Sequence, residues 1–231
     1  MNDTTGSIPG AQVGDSVNLQ SYVSYTPVQY NNIPCFAAGT MIRTKGGESA
    51  VENLQAGDLV WTRDHGFQPL RWVGRAVLSR RDLLARPHLA PITLHRGALG
   101  PDMPAADLTL SPQHRVLLRG WELELTLGVE EAFAAAKYLL GRAGVIRDTA
   151  CDGISYHHLL FDRHEVIESN GLLSESFLVG ETIRKGMDEA QLRELNDLFP
   201  GFVHDATSAR NTPARPILSQ HEVVVLERLA A

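Results

Sequence analysis

From Cys35 to about residue 180 the sequence is broken into short apolar runs, each closed within a few residues by glycine, proline or aspartate, a spacing that leaves no room for long helices. The runs fall at Thr40 to Thr44, Leu59 to Arg63, Pro69 to Leu78, Pro91 to His95, Asp107 to Leu110, Arg115 to Leu118 and Glu122 to Leu127. Side chains alternate within them, Met41 and Arg43 against Ile42 and Thr44, and Gly46-Gly47, Ala56-Gly57-Asp58 and His65-Gly66 supply tight turns. The pattern specifies an all-β domain. One segment conflicts with it: Val129 to Leu140 carries Ala132, Ala134, Ala135 and Ala136 between charged ends and reads as an amphipathic helix or a mixed segment.

The flanks are different in kind. Residues 1–34 are rich in Ser, Thr, Asn, Gln, Gly and Pro without periodicity, and read as an extended, flexible leader. Residues 35–180 form the β domain, and 181–231 a tail, with a helix over Met187 to Phe199 ended by Pro200-Gly201 and a final helix or strand over His221 to Leu229. The full chain of 231 residues is 43% hydrophobic and 21% charged, which excludes chain-wide disorder and collagen-like repeats. With two cysteines, Cys35 and Cys151, no disulfide framework organises the fold. The net charge of -6 and a single short basic cluster, Arg80-Arg81, expected in a solvated loop, argue against a nucleic-acid partner. No stretch of about 18 apolar residues suggests a transmembrane helix, and the first 30 residues lack the pattern of a classical signal peptide. A cytoplasmic location and export by another route both stay open.

Three local clusters carry reactive side chains. Pro34-Cys35-Phe36-Ala37-Ala38-Gly39-Thr40 stands where the leader meets the β region, Leu110-Ser111-Pro112-Gln113-His114 follows, and Tyr156 to His164 holds His157, His158, Asp162 and His164. Each is weak alone, since a lone cysteine is commonly a small buried hydrophobe and Ser-Pro-x-His is commonly a turn. In the third cluster, strand alternation sets His158, Leu160, Asp162 and His164 on one face and His157, Leu159, Phe161 and Arg163 on the other. The same alternation disfavours a zinc site from His157, His158, His164 and Cys151, because adjacent strand histidines diverge. No metal and no cofactor is expected, and Cys151 reads as a bystander in a surface turn.

Taken in order, these segments resemble the Hint family, the module shared by Hedgehog C-terminal domains and inteins, and in particular its bacterial branch. The resemblance opens with Cys35-Phe36-x-x-Gly39-Thr40 and runs through Val51 to Val60 with its Gly57-Asp58 turn, Gly66 to Gly74 and Leu108 to Leu117. It closes over Tyr156 to Phe177 and covers roughly residues 35–180. It implies a horseshoe-like all-β fold with pseudo-two-fold symmetry and a short, mainly helical tail. It also implies an N-to-S acyl shift at Pro34-Cys35, with the Cys35 thiolate as nucleophile. By the same resemblance His114 protonates the departing nitrogen, and Ser111, where threonine is commoner, holds and polarises the scissile amide. His157 and His164 take the assisting positions of the last block, with Asp162 orienting His164 or His114.

The close of the domain departs from inteins. In Asn170-Gly171-Leu172-Leu173-Ser174-Glu175-Ser176, Glu175 and Ser176 stand where inteins carry His and Asn, so no carboxamide is available to cyclise. The resemblance therefore implies single-turnover cleavage rather than splicing, with the chain's own leader as intramolecular substrate and water or a small outside nucleophile as acceptor. The chain is expected to be a monomer. Two other readings compete: a catalytically silent Hint-fold module for interaction or secretion, and a Cys-His hydrolase with separate substrates, which the position of Cys35 at the start of the domain disfavours.

Overall fold

The computed structural model of the chain describes residues 34–178 and 212–230. Its alternating runs pair into two antiparallel sheets, giving the all-β architecture that the turn spacing dictates. The first sheet has the spatial order β11 (Val145–Arg147), β7 (Ile92–Leu94), β8 (Leu108–Leu110), β1 (Phe36–Ala37), β12 (Gly153–Leu160) and β6 (Trp72–Ser79). The second runs β10 (Glu131–Ala135), β9 (Arg115–Arg119), β14 (Leu172–Glu175), β13 (Val166–Ser169), β2 (Met41–Thr44), β4 (Leu59–Thr62) and β5 (Gly66–Pro69), with β3 (Gly47–Ala50) also on β2. The hairpins close at glycines that side-chain-bearing residues would strain, Gly47 at φ 109° and Gly66 at φ 65°.

Inward-facing residues of both sheets, among them Ile42, Val60, Leu94, Leu110, Leu159 and Ile167, share the principal core. A second apolar cluster gathers Cys35, Trp72, Leu78, Leu89, Tyr156, Leu160 and Phe177.

Two local expectations are corrected, and of the two readings of Val129 to Leu140 the helix gives way to a mixed segment. The alanine-rich segment is strand β10 followed by a single 3-10 turn, Ala136–Leu139. It pairs with β9 from Ala132↔Leu118 to Ala135↔Arg115, and on its other edge Phe133 N–H donates to Pro216 O at 2.8 Å while Leu218 N–H donates to Phe133 O at 2.8 Å. Ala132, Phe133 and Ala134 are wholly buried, so small side chains serve close packing here. The fraction of a kcal/mol that alanine favours a helix yields to burial and to two ladders of hydrogen bonds.

The run Glu122 to Leu127 lies instead in helix α2 (Trp121–Leu127), ended by Gly128 in the left-handed region. It buries Leu123 and half-buries Leu127 one turn on, a helical stripe. Arg80 and Arg81 are exposed as expected, yet they open helix α1 (Arg80–Ala85), which Ser79 and Asp82 cap reciprocally.

The last segment is helix α3 (Gln220–Ala230), and its Val223 and Leu226 join the principal core. The leader and the Met187 to Phe199 helix lie outside the described residues.

Candidate active site

Strand register alone assembles the site. β1 lies between β8 and β12, with Phe36 opposite Leu110 on one side and His157 on the other. In antiparallel pairs one step back along β1 is one step forward along each neighbour, so Cys35 falls between Ser111 and His158.

The contacts follow from that position. The Cys35 N–H donates to Ser111 Oγ at 2.9 Å, and the Ser111 N–H donates to Cys35 O at 3.0 Å. Ser111 thereby holds Cys35 twice, its side chain on the N–H of the Pro34-Cys35 amide and its backbone on the carbonyl of the next peptide. Nδ1 of His158 lies 2.9 Å from the Pro34 carbonyl oxygen, and its Nε2 lies 3.8 Å from Cys35 Sγ. A carbonyl oxygen only accepts, so Nδ1 carries the proton and Nε2 turns a lone pair toward the thiol. Burial holds this ring neutral, lowering its pKa to about 4 against the opposing pull of the Pro34 carbonyl. Burial likewise pushes the Cys35 thiol far up; a hydrogen bond from Ser111 favours the thiolate, and the charge of Glu175 disfavours it. The sulfur is therefore a thiol at rest and requires a base at the moment of attack.

His158 is itself held by apolar rings. The Trp72 indole lies parallel to it at 6.3 Å between centroids, and Phe177 tilts against it at 5.3 Å. Gly74, opposite His158 in the β6–β12 ladder, makes this possible, since a Cβ there would stand 2.0 Å from Cη2 of Trp72. Gly74→Ala is expected to cost about 1–3 kcal/mol by overpacking a rigid indole and to displace His158 with it. A lowered urea midpoint together with slower processing checks this, and an unchanged pair of values counts against the role given to Gly74.

His114 is buried, its ring set edge-on to Phe36 at 4.2 Å, and neither ring nitrogen has a hydrogen-bond partner among the described residues. Burial is the main cause that lowers its pKa to about 4, with Glu175 opposing. The turn carrying it is pinned by Ala136 N–H to His114 O at 2.8 Å and Lys137 N–H to Pro112 O at 3.0 Å. Behind it lies a buried polar group. Glu175 accepts from the Arg115 N–H at 2.8 Å and from Arg115 Nη1 at 2.7 Å, and its Oε2 is 3.3 Å from Nε2 of His164. His164 Nδ1 accepts the Ala214 N–H at 3.0 Å, which ties it to the tail.

The structure therefore brings Cys35, Ser111 and His158 into contact, with His114 one turn away. It sends the other three candidates elsewhere. His157 faces away from the thiol, its Nε2 3.1 Å from Ser155 Oγ, so the histidine at the scissile bond is His158. The alternation that set Asp162 and His164 on the face of His158 does not hold, because β12 ends at Leu160. Asp162 is half exposed and takes a forked pair from Arg71 at 2.8 and 2.5 Å. His164 meets Glu175 and the tail. Sequence reasoning passed over His158, Trp72 and Gly74. The face-by-face alternation separated His158 from His157, but choosing between them requires knowing that β12 neighbours β1. Cys151 is half-buried, 3.2 Å from Gly153 O, and among the described residues no group of three or more His, Cys, Asp or Glu could hold a metal ion.

A family model described as Hint domain matches residues 34–181. That is more than half of the chain, and the chain belongs to the Hint domain family, a family of self-processing folds. Among solved structures, a bacterial intein-like domain from Clostridium thermocellum is 17% identical, covering 62% of this chain and 98% of its own, with a TM-score of 0.44. A DnaB intein from Synechocystis sp. PCC 6803 is 14% identical, covering 62% and 98%, with a TM-score of 0.36. No curated protein matches the chain.

Proposed function

We propose that the chain cuts its own backbone between Pro34 and Cys35 by an N-to-S acyl shift, and that water or an outside nucleophile then releases the leader from the thioester. The observation that carries this reading is the double contact of His158, Nδ1 on the Pro34 carbonyl and Nε2 on the thiol. One imidazole then serves both reacting partners. Nε2 takes the thiol proton as sulfur attacks the Pro34 carbonyl carbon, and Nδ1–H stays bonded to the oxygen that gains negative charge. The C–N bond breaks next, and the Cys35 nitrogen leaves as an amine carrying the proton the thiol lost. We assign that hand-over to Ser111, already bonded to the nitrogen, and to His114. With its pKa near 4, His114 is neutral at rest and passes on a proton released in the reaction.

Cleavage rather than splicing is supported by the other end of the domain, where Ser176, at the position of the cyclising Asn, offers no carboxamide and Glu175, at the position of the preceding His, is committed to Arg115. The test uses the full chain and hydroxylamine, which attacks thioesters. Denaturing mass spectrometry should find residues 1–34 as a C-terminal hydroxamate and a complementary fragment beginning at Cys35. A chain that keeps its full mass on prolonged incubation at neutral pH overturns the reading.

A further inference from the structure

The wall of the site next to Cys35 opens into a cavity of about 240 Å3, whose lining includes Cys35, Ser111, Leu89, Tyr156, Lys137 and Arg147. Its lining joins the nucleophile to apolar Leu78 and Leu89. Its charge is one-sided: no aspartate or glutamate lines it among the described residues, in a chain whose net charge is -6. Lys137 and Arg147 are half-buried, and neither has a carboxylate partner among the described residues. Arg147 is aimed by its Nη1, which donates to His88 O at 3.2 Å. Two cationic side chains lining the same cavity as the thiol make a place for a small anion. The volume is several times the ~30 Å3 share of a water molecule, enough for a compound of amino-acid size.

We propose that this cavity binds the acceptor that resolves the thioester, and that the acceptor is a small thiol or primary amine carrying a carboxylate. The inference rests on the acyl shift described above and names its second substrate. The carboxylate sits between Lys137 and Arg147, and the acceptor's sulfur or nitrogen meets the Pro34 carbonyl carbon. A new C–S or C–N bond forms, the bond to Cys35 Sγ breaks, and the acceptor's proton passes to the Cys35 thiolate. The leader leaves as a thioester or amide of the acceptor.

The experiment has two arms on the full chain. In the first, Cys35→Ala protein, which cannot react, is titrated with 3-mercaptopropionate and followed by NMR. Saturable shifts that vanish in Lys137→Glu, and weaken in Arg147→Gln as a milder second variant, are the expected result. No saturable binding overturns the inference, whether or not the leader is released. In the second arm, leader release by 3-mercaptopropionate, 2-mercaptoethanol and cysteamine is compared at equal thiolate concentration. The anionic thiol should be about 10-fold or more faster than the cationic one, the scale on which a charged cleft enriches an opposite charge, and Lys137→Glu should erase or reverse that order. Binding without a rate preference overturns the acceptor assignment while leaving the acyl shift standing. Binding with no release by any thiol overturns both.

Discussion

A Cys35→Ala chain should stay at full length under hydroxylamine or thiol, and His158→Phe should slow release of the leader by about 10²–10⁴, the range expected for loss of a positioned base. The two substitutions test different links. Alanine removes the sulfur that carries the acyl group, so any residual cut at Pro34-Cys35 would run without the Cys35 thioester. Phenylalanine keeps the planar ring that packs between Trp72 and Phe177 and deletes both nitrogens. Because His158 is buried and neutral, losing its polar atoms should leave the fold intact, which a matched urea midpoint verifies. The pH profile gives a second reading. The active form is the neutral ring, so the rate should be level from neutral pH downward and fall only as pH approaches the value of about 4. A His158→Phe chain that cleaves at the parent rate would remove His158 from the chemistry and return the role of base to another group.

What the sequence could express was local, and what it could not was which strands become neighbours. Gly47 and Gly66 mark hairpins because a positive φ is a property of one residue. Cys35 and Ser111 were visible because each lies in a short block whose order along the chain is itself informative. His158 was not, since its meeting with Cys35 is set by the Phe36↔His157 pairing across a large sequence separation. The alanines of β10 misled for the same reason. Their intrinsic preference is for a helix, and only the pairing with β9 and the return of residues 216–218 along the opposite edge make a strand the better burial. The face given to Asp162 misled differently: strand alternation was extended two residues beyond the end of β12.

The buried carboxylate behind His114 supports the largest expected loss of stability. Glu175 has a side chain with no exposure, and it is held by Arg115 and His164. Burial pushes its carboxyl up, but the His164 contact and the Arg115 charge outweigh that and leave it below the usual value of 4.5. It is ionised at neutral pH, and its stabilisation is present above the unfolded-state value and lost as acid carries pH through the lower folded one. Glu175→Leu should cost about 3 kcal/mol, the low end for breaking a buried pair, because the Arg115 side chain is 23% exposed and water can solvate part of its charge. Glu175→Gln keeps an acceptor for the Arg115 N–H and should lose less. Acid acts earlier through the histidines. His114 and His158 take up protons near 6.5 when unfolded and only near 4 when folded. The unfolded chain therefore binds more protons throughout that window, and stability falls as pH drops, by up to about 1.4 kcal/mol per pH unit for each ring. Urea midpoints at about pH 7 and about pH 5 should show the parent chain weakening in acid and the Glu175→Leu chain already weak at neutral pH. If Glu175→Leu matches the parent at neutral pH, the carboxylate is not what holds β9 and β14 together beneath the site.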